Sequence, residues 1–210
     1  MEDAETFDLA SVDLNAYLAM DLDCLAWVAR ELGEEEKAER YRQDWRRLRE
    51  RMNESLWNEE RGLYLDRKWT GAWSGRMAAS NFLPLVAGVP EPAQARRMLD
   101  TLLDPEWFWG DHVLPTISRN DPSFPQQQYW KGTIWPPMNY LVYQGIKRYG
   151  FDEVAGELAQ RSVALFLRSW KEYQLCRENY DSRTGEGGGR RYQSWGPLFA
   201  LIGLEEFLDV

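Results

Sequence analysis

One histidine, His112, and two cysteines, Cys24 and Cys176, are all the soft metal-binding chemistry that this chain contains. None stands at a metal-ligand spacing, so neither a metal site nor a cofactor is expected. By periodicity Cys24 falls mid-helix and Cys176 near a helix end, and two reduced thiols are expected rather than a disulfide. No apolar run reaches the roughly 18 residues that a membrane span requires. The acidic start MEDAETFD has no apolar stretch behind it, so the expectation is a cytoplasmic protein without a secretory leader and with no membrane partner. Basic residues are in deficit, 25 Lys and Arg against 34 Asp and Glu, for a net charge of −9. With no Lys/Arg run to offset it, that balance argues against nucleic acid as a partner. Strand patterns are scarce too: Leu63, Tyr64 and Leu65 are too few for a strand of consequence.

What is abundant is aromatic. Trp, Tyr and Phe make up 14% of 210 residues, with eleven tryptophans, inside a 44% hydrophobic and 28% charged composition. A chain of this length buries a substantial core as one domain. Flat rings bury large areas at little rotamer cost, which suits sugar or peptide recognition and equally suits a wide core between two helix layers.

Apolar residues at threes and fours predict about seven helices: 13–32, 35–57, 76–86, 93–103, 137–149, 153–173 and 195–208. In the first, Leu14, Leu18, Leu22, Leu25, Ala29 and Leu32 form the stripe, Ser11 or Asp13 is the cap, and Gly33 is the stop. The second carries Ala38, Tyr41, Trp45, Leu48, Met52 and Leu56 on one side and Glu39, Arg42, Arg46, Arg49 and Glu50 on the other, so one face is wet. Trp45 and Trp57 read as core. Charged-faced helices (35–57, 153–173) alternate with apolar ones (76–86, 195–208), which predicts an outer and an inner layer. At least two-thirds helix is expected, with no sheet beyond a small hairpin near Gly62 or Gly71.

The twelve residues 128–139, QYWKGTIWPPMN, organise the chain. Pro136 and Pro137 are tolerated only in a helix's first turn, so Tyr129, Trp130, Lys131 and Trp135 sit on the loop entering a buried helix. Rigid aromatics there suit a pocket wall, and the plainer alternative is a plug closing the core. Residues 104–128 form an unusually long connection, and such loops are usually functional. Residues 176–193 read as a loop with three consecutive glycines, Gly187, Gly188 and Gly189. No strand precedes them and no Lys-Ser or Lys-Thr follows, so they are not a phosphate cradle; their expected role is to fold over the pocket.

The segments DLNAYLAMDLDCLAWVARELG (13–33), LWNEERGLYLD (56–66), WGDHVLPTISRNDPSF (109–124), YWKGTIWPPMNYLVYQG (129–145), ENYDSRTGEGGG (178–189) and YQSWGPL (192–198) resemble, in this order, glycoside hydrolases of family 63 and their trehalase-like relatives. The resemblance implies an all-α fold: an (α/α)6 barrel of two concentric helix rings, of which residues 1–210 form a single helical domain, the C-terminal portion lacking the N-terminal helices. It implies inverting hydrolysis of an α-linked glucoside or related sugar, with a small α-linked saccharide as partner.

Inversion needs two carboxyl groups on opposite sides of the sugar, one protonating the leaving oxygen and one activating water. The family's base matches Glu178. Its acid is an aspartate in a motif preceding the segment that matches 13–33, and Asp13, Asp21 and Asp23 do not match that motif. The isolated chain is therefore expected to be inactive, and to associate as a homo-oligomer or with the missing N-terminal part, because half a ring leaves inner-helix faces bare. Trp130, Lys131 and Trp135 match family pocket residues. Trp109, Asp111 and His112 in the long loop are candidates for the same pocket. Glu186 is either a second carboxylate that contacts sugar or a solvated loop residue, and Tyr192, Gln193 and Trp195 are expected beside the pocket. The competing function is a carbohydrate-binding or structural module without turnover.

Overall fold

The computed structural model describes residues 8–208; the acidic start of the chain, residues 1–7, lies outside them. The described chain folds into six α-helices, α1 (Val12–Glu31), α2 (Glu35–Ser55), α3 (Pro92–Leu103), α4 (Pro136–Arg148), α5 (Asp152–Tyr173) and α6 (Leu198–Phe207). A 3-10 segment, Ala79–Leu85, takes the seventh helical place. α1, the 3-10 segment, α4 and α6 pack side by side, with α2 behind α1 and α5 behind α4 and α6. This is the two-layer arrangement expected, but the α-helices hold only about half of the described residues, not two-thirds.

The remainder is loop and short antiparallel ribbon. β1 (Leu9–Ala10) pairs with β4 (Arg67–Lys68), β2 (Trp57–Asn58) with β3 (Leu63–Tyr64), and β5 (Arg177–Tyr180) with β6 (Gly187–Arg191). The β2–β3 turn is the hairpin expected at Gly62, and Trp57 lies on it, half-buried, rather than on α2. The β5–β6 ribbon corrects the expectation of an irregular loop over 176–193. Side-chain periodicity could not reveal it, because β6 begins with three glycines and has no alternation to read.

The segment 76–86 also departs from expectation. It is 3-10 rather than α, with Pro84 inside it, because proline removes a ladder N–H. Its residues Ala79, Phe82, Leu83 and Leu85 are buried as expected. α4 can approach it closely only because Gly145 faces it: a Cβ there would lie 2.7 Å from Leu85 Cβ and 2.8 Å from the Val86 nitrogen. Pro136 and Pro137 occupy the first two positions of α4, as expected.

α1 turns its leucines outward. Leu14, Leu18 and Leu25 are 63%, 50% and 43% exposed and Leu22 is half-buried, while Val12, Ala16, Ala19, Ala26 and Ala29 are buried. Small residues let α2 and the 3-10 segment pack against the helix closely, so the alanine face wins the contact and the leucine face has no cover within the described chain. Capping differs as well. The Ser11 side chain makes no cap hydrogen bond, and the first free N–H, that of Val12, donates to Asp66 Oδ1 at 2.8 Å from 54 residues away.

Three long loops, 57–78, 104–135 and 174–197, each lead into a member of the α1-side row. Backbone bridges tie them edge to edge: Ala78 with Ile117, Pro115 with Ile134, and Ile134 with Tyr180. All three loops therefore form one layer at one end of the helices. None of the helices among the described residues is long and apolar enough to cross a membrane. Both thiols are free, Cys24 exposed and Cys176 half-buried.

Candidate active site

Glu178 lies on β5, not at a helix–loop junction. The ribbon is held against the preceding loop by paired backbone bonds between Ile134 and Tyr180, 2.8 and 3.0 Å, in both directions. Gln127 adds a second tie, its Oε1 accepting from the Ser182 N–H (2.8 Å) and hydroxyl (3.1 Å). Gln127 and Tyr129 both take left-handed backbone conformations, φ 47° and 52°, which turns the chain tightly enough to bring Trp130 back over Trp135.

The Glu178 carboxylate is oriented by backbone. Its Oε2 accepts the Arg190 N–H at 2.7 Å, while Trp195 Nε1 donates to the Glu178 carbonyl at 3.2 Å. Gly189, at φ 66°, makes the approach possible: a Cβ there would sit 2.5 Å from Glu178 Oε2. With one oxygen fixed by a charge-assisted hydrogen bond, the other remains available to take a proton from water.

An aromatic run continues from there. Trp195 lies 6.0 Å from Trp135, and Trp135 stacks on Trp130 at 4.4 Å and 13° between planes. Tyr129 meets both tryptophans edge-on at 5.9 and 5.0 Å. Trp135 is buried and anchored through Nε1 to Thr133 Oγ1 (2.8 Å) and the Tyr129 carbonyl (3.2 Å). Trp130 is 46% exposed with one face covered by Trp135, so its other face is presented to solvent. Lys131 is exposed and donates to Gln126 Oε1 at 2.9 Å.

The expected residues thus divide into two groups. Glu178, Trp195, Trp135 and Trp130 form one contiguous line, with Lys131 next to Trp130 in the chain. Trp109 instead packs on α5, with the Arg161 guanidinium over its ring at 5.1 Å. Asp111 is exposed and His112 lies beneath the β5–β6 turn, where a Cβ on Gly185 would meet its ring at 2.8 Å. Burial pushes the His112 imidazole below its ordinary value; Asp111 and Asp181 oppose that, and Arg168 and Arg119 reinforce it. Glu186 is exposed in the turn, beside a cleft that Arg168, Tyr173 and Arg177 also line. Tyr192 is exposed, at φ 54°, and Gln193 is half-buried. Sequence reasoning missed Gly189 and Arg190 as the group that orients Glu178. The glycine run was the available signal, since it marks close backbone approach as well as flexibility. No group of three His, Cys, Asp or Glu side chains able to hold a metal gathers among the described residues.

Residues 1–196 match the family model described as the mannosylglycerate hydrolase MGH1-like glycoside hydrolase domain. The chain belongs to this family. It is 32% identical over 198 residues to the mannosylglycerate hydrolase of Rubrobacter radiotolerans, covering 90% of this chain and 42% of that protein. Against the mannosylglycerate hydrolase of one Thermus thermophilus strain the identity is 32% over 155 residues, 71% of this chain and 35% of the relative. The crystal structure of the family 63 mannosylglycerate hydrolase from a second Thermus thermophilus strain, in complex with glucose, superposes with a TM-score of 0.81 at 29% identity, over 92% of this chain and 47% of that one. Neutral trehalase Nth1 from Saccharomyces cerevisiae, at 21% identity and a TM-score of 0.77 over 96% of this chain and 38% of that one, shares the fold. The glycoside hydrolase fold is therefore the (α/α)6 type, and this MGH1-like domain spans less than half the length of each of these relatives.

Proposed function

We propose that these residues supply the water-activating half of an inverting glycosidase that cleaves a mannosylglycerate-like or other α-linked glycoside. Glu178 is the general base, Trp130 is the platform for the sugar ring, and Lys131 donates to sugar hydroxyls. The observation that carries this reading is the geometry of Glu178. Its carboxylate has one oxygen on the Arg190 N–H, and its backbone carbonyl accepts from Trp195, the first ring of an aromatic line whose outermost member, Trp130, offers a free face. A base can activate water only when it is held near the sugar's anomeric carbon, and a stacking ring positions that carbon.

The general acid in this reading belongs to the part of the barrel that the longer relatives have and this chain does not span. The 210 residues alone then hydrolyse α-glycosides hardly at all. The bare leucine face of α1, with Leu201, Leu204 and Phe207 exposed on α6, is where that part packs, or where further copies of this chain associate in its absence.

The test is hydrolysis of mannosylglycerate, trehalose and other α-linked disaccharides by the 210-residue chain and by the same chain completed with the rest of a family barrel. The completed protein is expected to turn over, and Glu178→Gln should lower its kcat by about 10²–10⁴. Robust hydrolysis by the isolated chain would overturn the division of the two carboxylates and move the search for an acid to Asp111 and Glu186. An active completed protein indifferent to Glu178→Gln would remove the base.

A further inference from the structure

The loop layer also holds a concavity that Glu178 does not line. Loops 57–75 and 107–122 enclose a cavity of about 410 Å³, within the range of small-molecule sites. Two tryptophans line it, Trp73 and Trp107, each steadied by a guanidinium: Arg67 lies over Trp73 at 4.9 Å and Arg61 over Trp107 at 5.4 Å. Arg67 is itself fixed, Nε donating to the Gly71 carbonyl at 3.0 Å. The adjacent Glu59 pairs with Arg97, whereas Glu60 and Arg61, which line the cavity, form no ion pair among the described residues.

The polar lining is balanced in donors and acceptors. Asn120 directs its Oδ1 to the Ser118 hydroxyl at 2.9 Å, which leaves its NH2 group as a donor. Asp121 Oδ1 accepts both the Ser123 N–H and its hydroxyl, 2.8 and 2.6 Å, which leaves Oδ2 as an acceptor. Arg61 adds donors and Glu60 adds acceptors. The lining sets Glu60 and Asp121 against Arg61, and Arg76 adds an opposing positive charge near Asp121, so the charges are close to balance and neither an anion nor a cation is favoured. A ligand whose groups both donate and accept, and which carries an apolar C–H face for a tryptophan, matches every part of the lining. A neutral sugar has both properties.

We propose that this cavity is a second saccharide-binding site, taking a neutral hexose unit against Trp73 and Trp107, independent of Glu178. Its walls come from the same loop layer that carries Glu178. It goes beyond the glycosidase reading and stands without it.

The experiment is an amide and indole nuclear magnetic resonance titration of the 210-residue chain with methyl α-mannoside, methyl α-glucoside, trehalose, glucuronate and glucosamine. Expected are saturable shifts at the Trp73 and Trp107 indoles and at the 118–121 amides with the neutral sugars, and weaker binding of the two charged ones. These shifts should persist in Trp130→Ala and Glu178→Gln, and Trp107→Ala should weaken binding by about fivefold or more. Arg61→Gln, which leaves the aromatic walls in place, serves if Trp107→Ala does not fold and should also weaken binding. Absence of saturable shifts at Trp73 and Trp107 would overturn the proposal. So would shifts confined to Trp130, Trp135 and Trp195 that vanish in Trp130→Ala. Binding of glucuronate as tight as that of the neutral sugars would overturn the assignment of a neutral ligand.

Discussion

Replacing Asn139 by alanine tests how the loop layer is fastened to the helices. Asn139 is fully buried on α4. Its Nδ2 donates to the Val113 carbonyl at 2.9 Å and to Ser162 Oγ at 3.2 Å, and its Oδ1 accepts the Leu114 N–H at 3.2 Å. One side chain thus satisfies both polar groups of the Val113–Leu114 peptide, which no water can reach at zero exposure. Truncation leaves a buried N–H and a buried C=O unpaired, at about 1–3 kcal/mol each, for a total of roughly 2–6 kcal/mol. Against a typical stability of about 5–15 kcal/mol, that is a large fraction. Urea unfolding followed by far-ultraviolet circular dichroism, with the slope unchanged, measures it. The amides of Leu114 and its neighbours should also exchange with solvent sooner in the variant than in the parent. The Pro115–Ile134 and Ile134–Tyr180 bridges continue from this segment to the Glu178 strand, so faster exchange should spread to Ile134 and Tyr180. A loss below about 1 kcal/mol with the slope unchanged would refute the reasoning, because it would mean that water or a neighbour had replaced both bonds.

Gly145→Ala should destabilise the fold by about 1–3 kcal/mol net of the gain in helix propensity, because its Cβ would strike Leu85 and the Val86 backbone; Gly156→Ala on α5, whose Cβ would meet nothing nearer than 3.5 Å, should be neutral or stabilising in the same thermal melt. His112 is held below its ordinary value in the folded state, chiefly by burial. The unfolded chain therefore binds the extra proton first as pH falls through about 6.5, and stability should drop on acidification below that point. His112→Gln should flatten this part of the stability–pH curve, and an unchanged curve would count against the burial argument. Leu18→Glu combined with Leu25→Glu should shift sedimentation of the chain from associated species toward monomer; a parent that is already cleanly monomeric at micromolar concentration would contradict association through α1.

The pattern of the fold was legible where period and punctuation agreed. The α4 start at its two prolines, the α2 stripe and the hairpin at Gly62 all follow from local rules that tertiary packing did not override. Part of the site was legible for the same reason. Two prolines force a helix to begin, so the aromatics before them must sit on its entry loop, and Trp130 and Trp135 do. The role of backbone was not legible. Glu178 is oriented by the Arg190 N–H across a ribbon that pairs glycines, and a main-chain donor has no residue type to announce it. Trp109 and His112 lie close in sequence to the expected pocket yet pack on α5 and under the β5–β6 turn. A long loop's path is set by contacts such as Arg161 on Trp109, far outside any window that periodicity can read.

α1 shows where the periodic argument itself needs an added premise. Two apolar stripes share this helix, one of leucines and one of alanines, and the rule that the bulkier stripe faces the core selects the leucines. That rule holds when a chain contains its whole core. In the described chain α2 and the 3-10 segment lie close to α1, and close packing favours small side chains, so the alanine stripe takes the contact. The leucine stripe remains a second apolar face, with 63% of Leu14, 50% of Leu18 and 43% of Leu25 accessible. A helix with apolar residues on two sides belongs between two layers of protein, because leaving that much apolar surface wet costs about 25 cal/mol per Å². Each of the matched mannosylglycerate hydrolases is more than twice as long as the segment this chain covers, and on the reading proposed above the second apolar face of α1 is the surface against which the rest of a barrel would pack.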